Sequence, residues 1–267
     1  MNAWQAFVLG LIQGLTEFLP VSSSGHLAIG REILGVEASG DLVFEVVVHA
    51  ATVLATIVVF RKEIWKLLVG LFHLRHDETD YVCKILVSMI PVLLVGLLLK
   101  DQVEALFSSL LVVGCALLVT ALLLYLSDRV SRRGSLRGPQ ACNGISYLQA
   151  TIIGIGQAFA VIPGLSRSGT TISMGLLCGA RRESVAQFSF LMVLIPILGE
   201  AFLDLVGGDV AASAIGTLPL VVGFLSAFAA GLFACKAMVA LVKKAQLKWF
   251  ALYCALVGAL VILFTLL

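Results

Sequence analysis

The stretch Gln13-Gly14-Leu15-Thr16-Glu17-Phe18-Leu19-Pro20-Val21-Ser22-Ser23-Ser24-Gly25-His26 decides how this chain is read. It sets a carboxylate, three serines and a histidine inside an apolar run. The chain around it is 60% hydrophobic and only 13% charged, with a mean hydropathy of +1.07. That composition excludes a soluble domain with a polar skin and predicts an integral membrane protein. A charge at the bilayer centre costs about 2.5 to 3.5 kcal/mol even on the lenient insertion scale, so Glu17 calls for a function that offsets it. The net charge of +2 is too nearly balanced to point to a partner. No Lys or Arg precedes Arg31, so a cationic leader is not expected and the first apolar run should remain in the mature protein. The six cysteines, Cys83, Cys115, Cys142, Cys178, Cys235 and Cys254, have no Cys-x-x-Cys spacing, and neither a metal cluster nor a disulfide framework is expected.

Working outward, uninterrupted apolar segments lie at about 42 to 60, 82 to 100, 107 to 126, 185 to 206, 216 to 235 and 249 to 267, each near the roughly 20 residues a bilayer requires. Two more apolar stretches, 3 to 34 and 147 to 179, are broken by Pro20 to Gly25 and by Pro163-Gly164-Leu165-Ser166-Arg167-Ser168-Gly169. At about 1.5 Å per residue, neither arm of a broken stretch crosses a roughly 30 Å core. The breaks match: Gly10, Gln13, Ser22, Ser24 and Gly25 recur 144 residues later as Gly154, Gln157, Ser166, Ser168 and Gly169, and three spans follow each. The reading is an all-α membrane protein of six transmembrane helices and two re-entrant helical hairpins in an inverted-topology repeat. It forms a single membrane domain, 1–267, with halves 1–126 and 147–267 joined by a basic cytoplasmic linker, 127–146.

Basic residues test this topology, since Lys and Arg gather in cytoplasmic loops. With re-entrant hairpins they divide 15 to 2, leaving Arg167 inside the membrane; with two full spans instead, the same residues divide 9 to 8 and orient nothing. Both termini and the first hairpin then face the outside, the second hairpin rises from the cytoplasm, and the tips meet near the midplane. Unwound backbone at that depth needs a polar pocket, and the helix N-termini beginning there favour an anion.

Gln13 and Glu17, four residues apart on one helical face, can reach one hard divalent cation or one water, or can hydrogen-bond a neighbouring helix. Ser22, Ser23 and Ser24 supply a hydroxyl nucleophile and helix caps, with His26 close by as acid, base or core histidine. The Arg167 guanidinium suits phosphate oxygens and could also pair with Glu17 at rest. Thr170 and Thr171 add hydroxyls on its arm. Glu45, His49 and Glu200 could line the same cavity, whereas His73, His76, Asp77, Glu78 and Asp80 read as the solvated face of a cytoplasmic loop rather than a metal cluster.

These motifs resemble the undecaprenyl-pyrophosphate phosphatase family of bacterial membranes. Gln13 and Glu17 stand at Glu/Gln-x-x-x-Glu, Pro20 to His26 at Pro-Val-Ser-Ser-x-Gly-His, and Pro163, Gly164, Ser166, Arg167, Ser168 and Thr171 at Pro-Gly-x-Ser-Arg-Ser-x-x-Thr. The resemblance implies hydrolysis of undecaprenyl pyrophosphate to the monophosphate and inorganic phosphate. Such hydrolysis recycles the lipid carrier of cell-wall synthesis and lowers bacitracin sensitivity, at a site on the outer side of the inner membrane. It also implies a divalent cation, Mg2+ or Ca2+, with Glu17 as metal ligand. Expected catalytic residues are Glu17, Ser23, His26 and Arg167, with Gln13, Ser22, Ser24, Ser166, Ser168 and Thr171 binding substrate. Ser23 attacks with His26 or Glu17 handling its proton, or a directly activated water takes its place. Expected partners are the polyprenyl pyrophosphate lipid, membrane lipids and, in a homodimer, a second copy; no nucleic acid is expected. Transport of a polyprenyl phosphate lipid is the rival function, since broken helices in inverted repeats also build transporters.

Overall fold

In the computed structural model the apolar segments are helices, and no strand occurs among the described residues, which are 1–36, 42–106, 109–133, 144–199, 215–244 and 246–266. Half of the 127–146 linker, residues 134–143 with Arg137 and Cys142, and Glu200 lie outside them. The first broken stretch is α1 (Ala3–Thr16) and α2 (Ser23–Leu34); then come α3 (Leu42–Val59), α4 (Arg61–Phe72), α5 (His76–Leu98), α6 (Lys100–Leu106) and α7 (Leu110–Arg133). The second is α8 (Tyr147–Phe159) and α9 (Arg167–Leu177), followed by α10 (Arg182–Met192), α11 (Thr217–Lys244) and α12 (Lys248–Leu266). Among the described residues five helices are long and apolar enough to cross a membrane, α10 counted through to Gly199, and the bent pair α3 and α4 brings the number to six. Rows of fully apolar exposed side chains such as Leu86, Ile90, Leu93 and Leu97 on α5 fit a lipid-facing surface, making this a multi-pass membrane protein.

One expectation needs correcting. Residues 61 to 80 do not form a loop: α4 departs from α3 at a 76° bend, and α5 starts at His76, earlier than the span expected at 82. Glu78 is not solvated, since its side chain is 12% exposed, packs over Gly70 and pairs with Lys66 at 3.6 Å. Asp80 pairs with Lys84 one turn on. The acidic cluster escaped recognition as helix because its first turn carries no apolar residue, while acidic groups at a helix N-terminus are favoured by the dipole.

The two broken stretches are built alike to the level of single hydrogen bonds. Asn2 and Gln5 close a capping box at the start of α1, and Ser146 and Gln149 close one at the start of α8. The Gln5 side chain then donates to the Leu34 carbonyl at 3.1 Å, as Gln149 does to the Cys178 carbonyl at 3.1 Å. Each bond ties the start of the stretch to its end. The tips meet reciprocally, with Gly25 against Gly164 and Gly169 against Pro20. Close approach elsewhere also falls at matching glycines. Gly10 lies on the α11 backbone at Gly223, and Gly154 on the α5 backbone at Ser88, where added Cβ atoms would sit 2.4 and 2.3 Å from carbonyl oxygens.

Helices α7 and α12 pack along their length and cross where Gly114 faces Gly258, again 144 residues apart. Their ends are antiparallel, since the Leu247 N–H just before α12 donates to Asp128 near the end of α7 at 3.2 Å. Asp128 also accepts from Arg132 and Arg182, both at 2.8 Å. Gly258→Ala places a Cβ 2.9 Å from the Gly114 carbonyl oxygen. Overpacking of this kind costs about 1 to 3 kcal/mol. The expected result is a lowered midpoint of thermal unfolding in detergent; an unchanged midpoint would mean that the crossing is looser than described.

Candidate active site

Helix α1 carries Gln13 and Glu17 on one face, and its last hydrogen bond runs from the Glu17 N–H to the Gln13 carbonyl at 3.0 Å. The chain cannot continue as helix into Pro20, which pushes its predecessor to extended conformations. It restarts at α2, where Ser22 caps by accepting from the Gly25 N–H at 3.3 Å. Ser22 does so at φ +72°, a conformation costing on the order of 1 to 3 kcal/mol for a residue with a Cβ, and one that clusters at functional sites. The second stretch restarts likewise, with Ser166 accepting from the Gly169 N–H at 3.1 Å and Arg167 as the first residue of α9. Before it, Gly164 at φ +88° runs so close to α7 that a Cβ would meet the Val113 carbonyl oxygen at 2.5 Å.

These turns assemble a hydrogen-bonded chain on one oxygen. Ser23 donates its hydroxyl to Glu17 Oε2 at 2.6 Å, and Gln13 donates its amide to the same atom at 2.9 Å. His49 Nε2 of α3 stands 3.9 Å from that oxygen. The Glu17 side chain is 9% exposed. Gln13 is fully buried, and its amide oxygen has no hydrogen-bond partner among the described residues. Glu17 also lines a small cavity with Arg167 and Ser168 of α9, Thr52 and Thr56 of α3, and Ser189 of α10. The enclosed space is about 20 Å³, room for one water, so a larger ligand enters only from its open side. Arg167 is near enough for its charge to act on Glu17, yet its guanidinium makes no hydrogen bond or ion pair with a described residue. The resting pair that the sequence allowed between the two is not formed.

The other sequence-derived residues divide. Ser168 joins the two stretches by donating to the Leu19 carbonyl at 3.0 Å. Ser22 and Ser166 are spent mainly as caps, each 3.4 Å from its neighbour Ser24 or Ser168. Thr171 is turned from the cavity into α9 itself and onto Ser189, 2.5 Å from its hydroxyl. His26 is not hydrogen-bonded to Ser23; its ring nitrogens meet the Ser22 carbonyl and the Tyr253 hydroxyl, both at 2.7 Å. Glu45 pairs with Arg31. Thr52, Thr56, Ser189 and Tyr253 were missed. For the α3 pair a signal existed, since Glu45, His49, Thr52 and Thr56 follow the 4, 3, 4 spacing of one face on an otherwise apolar helix.

With this geometry in place, the comparison with known proteins is direct. The family model described as Bacitracin resistance protein BacA matches residues 6–260. The chain belongs to the BacA family. The matched span takes in the breaks of both stretches and every residue of the candidate site. An undecaprenyl-diphosphatase of Bacteroides fragilis is 52% identical over 267 residues, covering 98% of each chain. One of Parabacteroides distasonis is 52% identical over 272 residues and covers all of both. A more distant undecaprenyl-diphosphatase, from Carboxydothermus hydrogenoformans, is 37% identical over 265 residues, 98% of this chain and 97% of its own.

Proposed function

We propose that this protein hydrolyses undecaprenyl diphosphate to undecaprenyl phosphate and inorganic phosphate, recycling the lipid carrier of cell-wall synthesis. The observation that carries the reading is the Ser23 hydroxyl bonded at 2.6 Å to Glu17, which lines one cavity with a guanidinium that has no partner among the described residues. Ser23 Oγ attacks the terminal phosphorus, Glu17 takes its proton, and the anhydride P–O bond breaks to release the lipid monophosphate. Water then adds to the phosphoserine phosphorus, the Ser23 Oγ–P bond breaks as Ser23 takes its proton back from Glu17, and the water's oxygen and hydrogens leave in the inorganic phosphate. Arg167 and the N-termini of α2 and α9 hold the negative charge of the transferring group. Placing the base on Glu17 rather than on His26 follows the hydrogen bond; a water activated by Glu17 is the competing nucleophile.

The donor set fits a hard divalent cation, Mg2+ or Ca2+. The unpartnered amide oxygen of Gln13 and the Glu17 carboxylate would hold it. Among the described residues no group of three or more His, Cys, Asp or Glu gathers, which leaves the remaining positions to phosphate oxygens and water. Such an ion supplies charge neutralisation at the diphosphate when bound.

The same reading places the protein in the bacterial inner membrane as one domain whose halves, 1–126 and 147–267, form an inverted repeat of re-entrant hairpins. Supporting this are the bonds that tie each stretch's start to its end, the reciprocal contacts of the tips, and the antiparallel α7 and α12 meeting at Gly114 and Gly258. The 15 to 2 division of basic residues puts both termini outside and the active site toward the outer face.

That repeat also favours a second reading, movement of a polyprenyl phosphate lipid across the membrane. Purified protein given undecaprenyl diphosphate and Mg2+ separates the two. Release of inorganic phosphate that Glu17→Ala abolishes is the expected result, and wild-type protein that releases none would overturn the phosphatase reading.

A further inference from the structure

His26 is held at both ring nitrogens by partners of different kinds. The Ser22 backbone oxygen only accepts, so Nδ1, 2.7 Å from it, carries the ring hydrogen. In the neutral imidazole Nε2 is then the acceptor, and the Tyr253 hydroxyl 2.7 Å away is its donor. The two rings also stack, with centroids 5.6 Å apart and planes 10° from parallel. The Ser22 carbonyl takes part twice, accepting the His26 backbone N–H at 3.1 Å as well, and it is presented by the strained φ of +72°. Nothing comparable exists in the second stretch, where Thr170 stands at the corresponding place and its buried hydroxyl has no partner among the described residues.

Tyr253 comes from α12, in the other half of the chain, and is 44% exposed, and neither ring is part of the cavity lining. We propose that Tyr253 is the positioning residue of His26: the Ser22 carbonyl sets the Nδ1–H tautomer, and the Tyr253 hydroxyl fixes the rotation of the ring and so the direction in which its basic nitrogen, Nε2, meets a hydrogen-bearing oxygen of the reaction, the attacking water or a protonated phosphate. Stacking fixes the plane of the ring and the hydroxyl fixes its rotation. A water or a protonated phosphate oxygen that replaces the tyrosine hydroxyl as donor to Nε2 meets an imidazole already oriented. This rests on the phosphatase reading above.

The test combines Tyr253→Phe, which keeps the stacking ring, with His26→Gln and the double variant, assayed for phosphate release from undecaprenyl diphosphate. Tyr253→Phe is expected to lower kcat on the order of ten-fold, the low end for an orienting partner of a functional histidine, with KM unchanged and no further loss in the His26→Gln background. Nitrogen-15 spectra of histidine-labelled protein in nanodiscs give a readout independent of turnover. The His26 Nε2 signal, identified by its loss in His26→Gln, should move in Tyr253→Phe to the position of an imidazole nitrogen that accepts no hydrogen bond, while the Nδ1–H signal stays. Wild-type kcat in Tyr253→Phe, a further ten-fold loss when Tyr253→Phe is added to His26→Gln, or an unchanged spectrum would overturn the assignment. Phosphate release that survives in Glu17→Ala would instead overturn the phosphatase site and leave the spectral result standing.

Discussion

Glu17→Gln is expected to lower phosphate release from undecaprenyl diphosphate by about 10² to 10⁴-fold, the range a positioned base contributes. The substitution keeps the shape of the side chain and an oxygen that accepts from Ser23, now 2.6 Å away, and from Gln13 at 2.9 Å. What it removes is the capacity to take a proton, so kcat falls and KM moves little. Raising the Mg2+ concentration distinguishes the two jobs given to Glu17: recovery at high Mg2+ marks lost metal affinity, and a loss that Mg2+ does not repair marks the missing base. Activity above a tenth of wild type at every Mg2+ concentration would remove Glu17 from the chemistry.

Arg167→Lys is expected to lower kcat/KM by about 10² to 10³-fold, comparable to losing one preorganised donor to a developing anion. Lysine keeps the charge but loses the planar fork that grips two phosphate oxygens together. The fold should be indifferent, because the guanidinium makes no hydrogen bond or ion pair with a described residue, and the Arg167 carbonyl that accepts from the Thr171 hydroxyl at 2.8 Å is untouched by the change. Thermal unfolding of Arg167→Lys should therefore match wild type while inorganic pyrophosphate, as a competitive inhibitor, binds more weakly. Near-normal turnover in the lysine variant would mean that point charge alone suffices and that the fork is not used.

Both predictions concern residues legible in the sequence, and the reason is local. A carboxylate and an arginine in apolar surroundings advertise themselves by their cost, and Pro20 and Pro163 mark the breaks through backbone sterics alone. The capping boxes at Asn2 and Ser146 were equally readable in principle, being contacts three residues apart. The bend at Phe60 was not, since Trp65, Leu68 and Phe72 leave α4 as apolar as a membrane surface helix and its direction is set by packing on α5. Nor did the spacing of Ser23 and His26 reveal their different partners. On α2 they are one turn apart, but one faces Glu17 across the break and the other faces α12.

The sequence by itself determined the membrane setting, the duplicated broken stretches and the chemical types at their tips, because hydropathy, proline sterics and capping act over a few residues. Only the tertiary structure decided which groups meet. Glu17 takes the Ser23 proton bond, Arg167 reaches the same cavity from 150 residues away, and His26 is claimed by Tyr253. Those pairings depend on how α2, α3, α9 and α12 pack, and packing is fixed by contacts between distant segments, such as Gly25 on Gly164, that no local pattern encodes.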